Sequence, residues 1–251
     1  MSGHSKWSTI KRKKGAADAK RGKIFTKLIK EIVVAVKTGG SSDPDANPKL
    51  RTAVLNAKAN SMPKDNITRA IKKAAGEDGA TDYMEIIYEG YGPAGVAFLV
   101  EALTDNKNRA VGEIRHAFSK NGGNLGKNGS IAWMFQRKGT LEFDKEKFDE
   151  EGLMEHMLES GAEDMTDEGT SWQILCEVAE FENVRQYFDD NSIEYLSATI
   201  AMIPENFVEI KDVETATKLL KLFDALEDLD DVQNLYANFD IPEEVQAQVE
   251  L

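Results

Sequence analysis

Lys11-Arg12-Lys13-Lys14, followed by Lys20, Arg21, Lys23 and Lys27, is the group of side chains in this sequence best suited to chemistry. That chemistry is ionic contact with phosphate, in which each cation releases counterions from a polyanion. Lys6 precedes the cluster, and Trp7 stands between the two. An indole there either stacks on a splayed base or pins the N-terminal arm to the helices behind it. Residues 1–76 carry 18 Lys and Arg against 5 Asp and Glu, a net +13, whereas residues 139–251 carry 6 against 31, a net -25. Residues 77–138 are nearly balanced, with 7 against 8. The whole-chain charge of -13 therefore hides a polar molecule. Screening over about 8 Å at physiological salt keeps a distant acidic region from cancelling the basic one. A solvated charged face is the plain alternative for a short basic run. Here the excess persists to Lys73 with few acids among it, where ordinary surfaces mix signs, so nucleic acid is the expected partner.

Other candidate chemistry is weaker. Asn121-Gly122-Gly123-Asn124-Leu125-Gly126-Lys127-Asn128-Gly129-Ser130 is rich in glycine. A phosphate-binding loop leaves a strand and opens a helix, whereas this stretch follows a predicted helix and enters a predicted strand, so it reads as a flexible loop. His4, His116 and His156 are scattered and form no metal-ligand pair with Cys176. No catalytic arrangement can be read from the carboxylates, and no Gly-x-Ser-x-Gly elbow occurs. No enzyme, cofactor or metal is expected. A single cysteine points to a reducing compartment, and no apolar run approaches the roughly 20 residues of a membrane span. Residues 1–42 have the Lys-rich, acid-poor composition of a transit peptide as well. The basic motif they carry favours their retention.

The elements that must position these residues follow from periodicity. Phe25, Leu28, Ile29, Ile32, Val33 and Val36 fall within about 100 to 140° of one helical face, with Lys23, Lys27, Lys30 and Lys37 on the other. Gly39-Gly40 and Pro44 end that helix. A second helix is predicted over 50–60 and a third after Pro63, where Ile67, Ala70, Ile71 and Ala74 make the buried stripe. Gly76-Glu77-Asp78-Gly79 is a linker. Beyond it, strands at 85–91 and 96–104 flank Gly92-Pro93-Ala94-Gly95, a helix covers 108–120, and a strand covers 131–136. From Gly139 the predicted order is strand 140–143, helix 145–159, a short strand near 163–166, strand 171–178, helix 180–190 and strand 194–202. This is the split βαβ, ferredoxin-like pattern. A helix at 213–227 and a strand at 232–239 are expected to return to the middle unit. The fold class is thus α+β in three domains: a basic helical domain at 1–76, a middle α+β domain at 77–138 plus 204–251, and an acidic ferredoxin-like domain inserted at 139–203. The acidic face either confers solubility or docks a basic protein.

Gly3-His4-Ser5-Lys6-Trp7, Asn47-Pro48-Lys49-Leu50-Arg51, Met62-Pro63-Lys64-Asp65-Asn66-Ile67, Arg69-Ala70-Ile71-Lys72-Lys73, Tyr88-Glu89-Gly90-Tyr91-Gly92-Pro93, Thr104-Asp105-Asn106-Lys107-Asn108-Arg109, Gly122-Gly123-Asn124-Leu125-Gly126 and Gly129-Ser130 occur in this order. Together they closely resemble the YebC family of probable transcriptional regulatory proteins, which is related to the mitochondrial translational activator of cytochrome c oxidase subunit I. Ala94 and Ala110 depart from the family's usual Gly and Thr. The resemblance implies a cytoplasmic, non-enzymatic, three-domain protein that binds nucleic acid; a monomer is expected. It leaves two roles open. One is DNA-binding transcriptional control through duplex DNA. The other is association with ribosomes, through ribosomal RNA and ribosomal proteins, that eases synthesis of proline-rich stretches.

Overall fold

A computed structural model describes residues 17–76 and 82–249, with side chains from residue 22 onward. Three helices come first: α1 (Ala17–Gly39), α2 (Pro48–Ala59) and α3 (Lys64–Ala75). They bury one stripe each. Leu28, Ile32, Val33 and Val36 of α1 meet Leu50, Ala53, Val54 and Ala57 of α2 and Ile67, Ala70 and Ala74 of α3 in one cluster. Asn47 sets the turn between α1 and α2. Its Oδ1 accepts from the Leu50 N–H at 3.1 Å, capping α2, while Nδ2 donates to Ala35 O and Ser41 O at 2.8 Å each. A Cβ at Gly39 would lie 2.2 Å from the Asn47 side chain, so only glycine admits this cap.

The chain then forms β1 (Met84–Tyr91) and β2 (Ala97–Thr104), an antiparallel pair from Met84 opposite Thr104 to Tyr91 opposite Ala97. The connecting turn at Pro93–Gly95 places Ala94 at φ 57°. Glycine adopts that left-handed conformation without the Cβ clash that alanine bears. Next come α4 (Lys107–Lys120), the short β3 (Asn124–Leu125) and β4 (Phe135–Asp144). The strand expected over 131–136 is in fact a single 3₁₀ turn at Ala132–Met134 followed by the start of β4. β4 runs unbroken through Gly139, so the expected boundary after residue 138 falls inside a strand. The reason is packing. A Cβ at Gly139 would lie 2.6 Å from both Cys176 Sγ and Phe181 Cδ2, so this glycine admits a close neighbour and makes no turn.

After β4 come α5 (Glu150–Ser160), β5 (Asp164–Asp167), β6 (Ser171–Glu177), α6 (Phe181–Asp190) and β7 (Ser197–Pro204). The helix expected from residue 145 starts five residues later because Asp149 caps it, accepting from the Gly152 N–H at 3.0 Å. The four strands make one antiparallel sheet in the order β5-β6-β4-β7, the ferredoxin-like arrangement. Leu141, Phe143, Ile174 and Cys176 pack with Leu153 of α5 and with Val184 and Phe188 of α6.

The chain closes with β8 (Val208–Glu209), α7 (Val213–Glu227), β9 (Val232–Ala237), β10 (Phe239–Asp240) and α8 (Glu243–Gln246). β9 joins β2, giving a second four-stranded sheet in the order β3-β1-β2-β9. Asn238 divides the expected strand 232–239 into β9 and β10, its Oδ1 accepting from the Ala97 N–H at 2.7 Å. Alternation along β2 sends Phe98, Val100 and Ala102 to α4 and α7, where Ile114, Phe118, Leu219, Leu220 and Phe223 complete the main core. Ala97 and Leu99 face the other way, against Ile131 and Phe135.

Candidate nucleic-acid interface

Of the residues expected to grip phosphate, Lys6, Trp7, Lys11, Arg12, Lys13 and Lys14 lie outside the described residues. Lys20 and Arg21 belong to the start of α1. Lys23 and Lys27 lie against the end of α7. Lys23 Nζ donates to Asp228 O at 3.2 Å and lies 3.3 Å from the Asp228 carboxylate, and Lys27 Nζ donates to Glu227 O at 2.9 Å. Both cations therefore sit at the C-terminus of α7, where unpaired carbonyls concentrate negative potential. Burial pushes the Lys27 ammonium below its usual range, against the pull of Glu227 and Asp228. Lys30, one turn further on, is only 8% exposed. Its Nζ reaches Leu103 O at 3.3 Å, Asp230 O at 2.8 Å and Asp231 Oδ1 at 2.8 Å. Lys37 pairs with Asp82. Lys27 and Lys30 of this helical face thus turn inward and dock α1 on the elements behind it, while Lys23 and Lys37 stay exposed and pair with Asp228 and Asp82. Hydropathy periodicity sees only that these positions are polar; it cannot distinguish water from a helix end.

Asp231 closes this contact. It is 2% exposed, and besides Lys30 it accepts from Thr104 Oγ1 at 2.9 Å and from Arg109 Nη2 at 2.8 Å. Burial pushes its carboxyl up, but the hydrogen bonds from Lys30, Arg109 and Thr104 outweigh burial and hold it below the usual range.

The same contact strains Glu31. Burial pushes the Glu31 carboxyl up to about 7, against the opposing effect of Lys27. Between about 4.5 and 7 the folded chain holds a proton that the unfolded chain has lost, so stability falls as pH rises through this window. Glu31→Gln is accordingly expected to raise stability at pH 8 by about 1–3 kcal/mol and to have little effect at pH 4.5. Thermal unfolding at the two pH values checks this; a gain independent of pH would refute it.

With Lys23, Lys27, Lys30 and Lys37 engaged, the cations without a carboxylate partner among the described residues include those of the other two helices. Residues 48–76 hold Lys49, Arg51, Lys58, Lys64, Arg69, Lys72 and Lys73 against the single acid Asp65. All seven are exposed. Arg51 braces the loop before α2, donating to Asp45 O at 2.8 Å. For the other six, no carboxylate among the described residues lies within ion-pair distance. Arg69, Lys72 and Lys73 span an arc of about 100° opposite the buried face of α3. Capping by Asn47 and the shared core hold these helices rigid, so their positive field is fixed in place.

The remaining candidates take structural roles. The glycine-rich stretch expected to be flexible is tied down by Glu89, which is 5% exposed. The Glu89 carboxylate accepts from the N–H groups of Gly129, Ile131 and Ala132 at 2.6, 2.5 and 3.0 Å. Burial pushes Glu89 up, but these bonds outweigh it and hold the carboxyl below its usual range. Nothing in local sequence announces the clamp, because Glu89 lies 40 residues before Gly129. His116 is exposed on α4, and His156 Nδ1 lies 3.0 Å from Tyr187 Oη. Cys176 is buried, with its thiol pushed up to about 11 by burial first and by Glu163 and Glu177 next. Among the described residues no three His, Cys, Asp or Glu are grouped to hold a metal, and no helix is long and apolar enough to cross a membrane.

Comparison with known proteins places the whole chain. Residues 5–77 match the family model described as TACO1/YebC protein N-terminal domain, and residues 83–239 match TACO1/YebC second and third domain. A protein of Syntrophobacter fumaroxidans named "Probable transcriptional regulatory protein" is 58% identical over 245 residues, 98% of each chain. One from Treponema pallidum with the same name is 56% identical over 98% of this chain and 99% of its own. The crystal structure of a conserved hypothetical protein from Aquifex aeolicus superposes with a TM-score of 0.84 at 46% identity, covering 91% of this chain and 93% of that one.

Proposed function

The chain belongs to the TACO1/YebC family, and from that premise we propose that it is a non-enzymatic, nucleic-acid-binding regulator of gene expression, acting on DNA as a transcriptional regulator. The names of its relatives support the regulatory role. The observation that carries the binding role is the seven-to-one excess of cations over acids across α2 and α3. Phosphate contact supplies sequence-independent affinity, and a rigid array of cations supplies phosphate contact. Lys6, Trp7, Lys11, Arg12, Lys13, Lys14, Lys20 and Arg21 add their contacts to that grip in this reading, while Lys23 and Lys27 hold α1 against the end of α7.

A second reading, a ribosome-associated translation factor, is favoured by the charge division: a net -25 over residues 139–251 suits basic ribosomal proteins, while the helical end suits ribosomal RNA. A competition separates the two. The full chain is offered purified ribosomes and promoter duplex at about 150 mM salt, where non-specific duplex binding is weak. Sequence-dependent duplex retention is the result expected for a transcriptional regulator. Cosedimentation with ribosomes and no sequence-dependent retention would replace that reading with the second.

A further inference from the structure

We propose that Trp133 is a separate nucleic-acid contact, a stacking platform for an unpaired nucleobase, with Lys127 beside it for an adjoining phosphate. The proposal rests on the nucleic-acid-binding reading and adds to it a site in the turn that leads into β4, far in sequence from the basic segment. Trp133 is 71% exposed, the most exposed large apolar side chain among the described residues, whereas Trp172 is buried. Leaving an indole in water forfeits burial that the rest of the chain obtains.

The exposure is imposed by the backbone. Ile131 and Phe135, on either side of the turn, are buried in the small core beneath β2. Three backbone N–H groups of residues 129–132 are fixed on the Glu89 carboxylate. Ser130 O accepts from Trp133 Nε1 at 3.0 Å and from Tyr91 Oη at 3.3 Å. The polar edge of the indole is satisfied by its own turn, so what it offers a partner is its π face, already oriented.

The surroundings select the partner. The adjoining turn presents Lys127, Asn128 and Gly129, all exposed, and Arg137 is exposed four residues on. No carboxylate among the described residues lies within ion-pair distance of Lys127 or Arg137. Glu205, which approaches through its N–H on Met134 O, has its carboxylate engaged by Gln136 at 2.8 Å. An exposed indole face whose adjoining turn carries an exposed cation and an exposed amide suits a base and its phosphate. Bases within a duplex are stacked on each other, so the platform fits a single strand, loop or bulge.

The test compares full-length wild type, Trp133→Ala and Trp133→Phe on a labelled 12-nucleotide single-stranded oligoadenylate and on a 12-base-pair duplex. W133A is expected to weaken single-strand binding about 10-fold and to leave duplex binding unchanged, and W133F to restore single-strand binding to within about 3-fold of wild type. Wild-type single-strand affinity in W133A, or an equal loss on both probes, would overturn the proposal. If wild type binds neither probe, the DNA-binding reading falls and the platform with it. If it binds both but is indifferent to position 133, only the platform falls.

Discussion

Asp231→Ala is expected to destabilise the protein by about 3 kcal/mol, the largest effect of any single side chain at the junction of the helices with the sheet. The carboxylate is buried and receives Lys30, Arg109 and Thr104. Removing it strands the Lys30 ammonium, 8% exposed, without its counter-charge, and breaking a buried pair from one side costs more than the pair contributes. Arg109 is half exposed and can rehydrate, which keeps the figure at the low end of the usual range. Thermal or urea unfolding of the full chain measures it. Two further results follow from the same physics. Lys30→Met in the D231A background should recover stability, because it removes the stranded charge. The wild-type advantage over D231A should persist at neutral pH and disappear in acid, since the folded carboxyl is held below its usual range and the stabilisation is lost as pH falls through that value. A double variant less stable than D231A would show that packing, not charge, holds this junction.

Arg69→Gln, Lys72→Gln and Lys73→Gln together are expected to reduce nucleic-acid affinity on the order of 100-fold at 150 mM salt. The dependence of log K on log salt should flatten by about 2.7, or about 0.9 for each phosphate contact released. The three side chains point away from the core of the helical unit, so stability should stay within about 0.5 kcal/mol of wild type. An unchanged salt dependence would remove α3 from the interface. The companion variant reverses Lys11, Arg12, Lys13 and Lys14 to Glu. If it abolishes binding while the α3 variant does not, the grip lies wholly in the N-terminal segment.

The helical unit was legible because its signals are local. The stripe from Leu28 to Val36, the Asn47-Pro48 cap and Pro63 before α3 each act within a few residues. The ferredoxin-like order was legible for the same reason, since alternating strand and helix periods need no knowledge of distant partners. The errors fell where a distant residue decides. Gly139 shows no role in local sequence until Cys176 and Phe181 are seen against it. The glycine-rich loop looks free until Glu89 is found inside it. The exposed indole at Trp133 is a consequence of that clamp, and nothing in the residues around it foretells its exposure.

By itself, the sequence determined the family, the α+β class and the segregation of charge, because motifs, periodicity and composition are properties of the chain in order. Tertiary structure alone decided which of those charges are free. Lys23, Lys27 and Lys30 recur at helical spacing just as Arg69, Lys72 and Lys73 do. The first three meet carbonyls and two carboxylates from residues 227–231, some 200 positions away, and the last three meet none among the described residues. A cation's availability depends on what lies within about 4 Å of it, and chain order does not fix that distance.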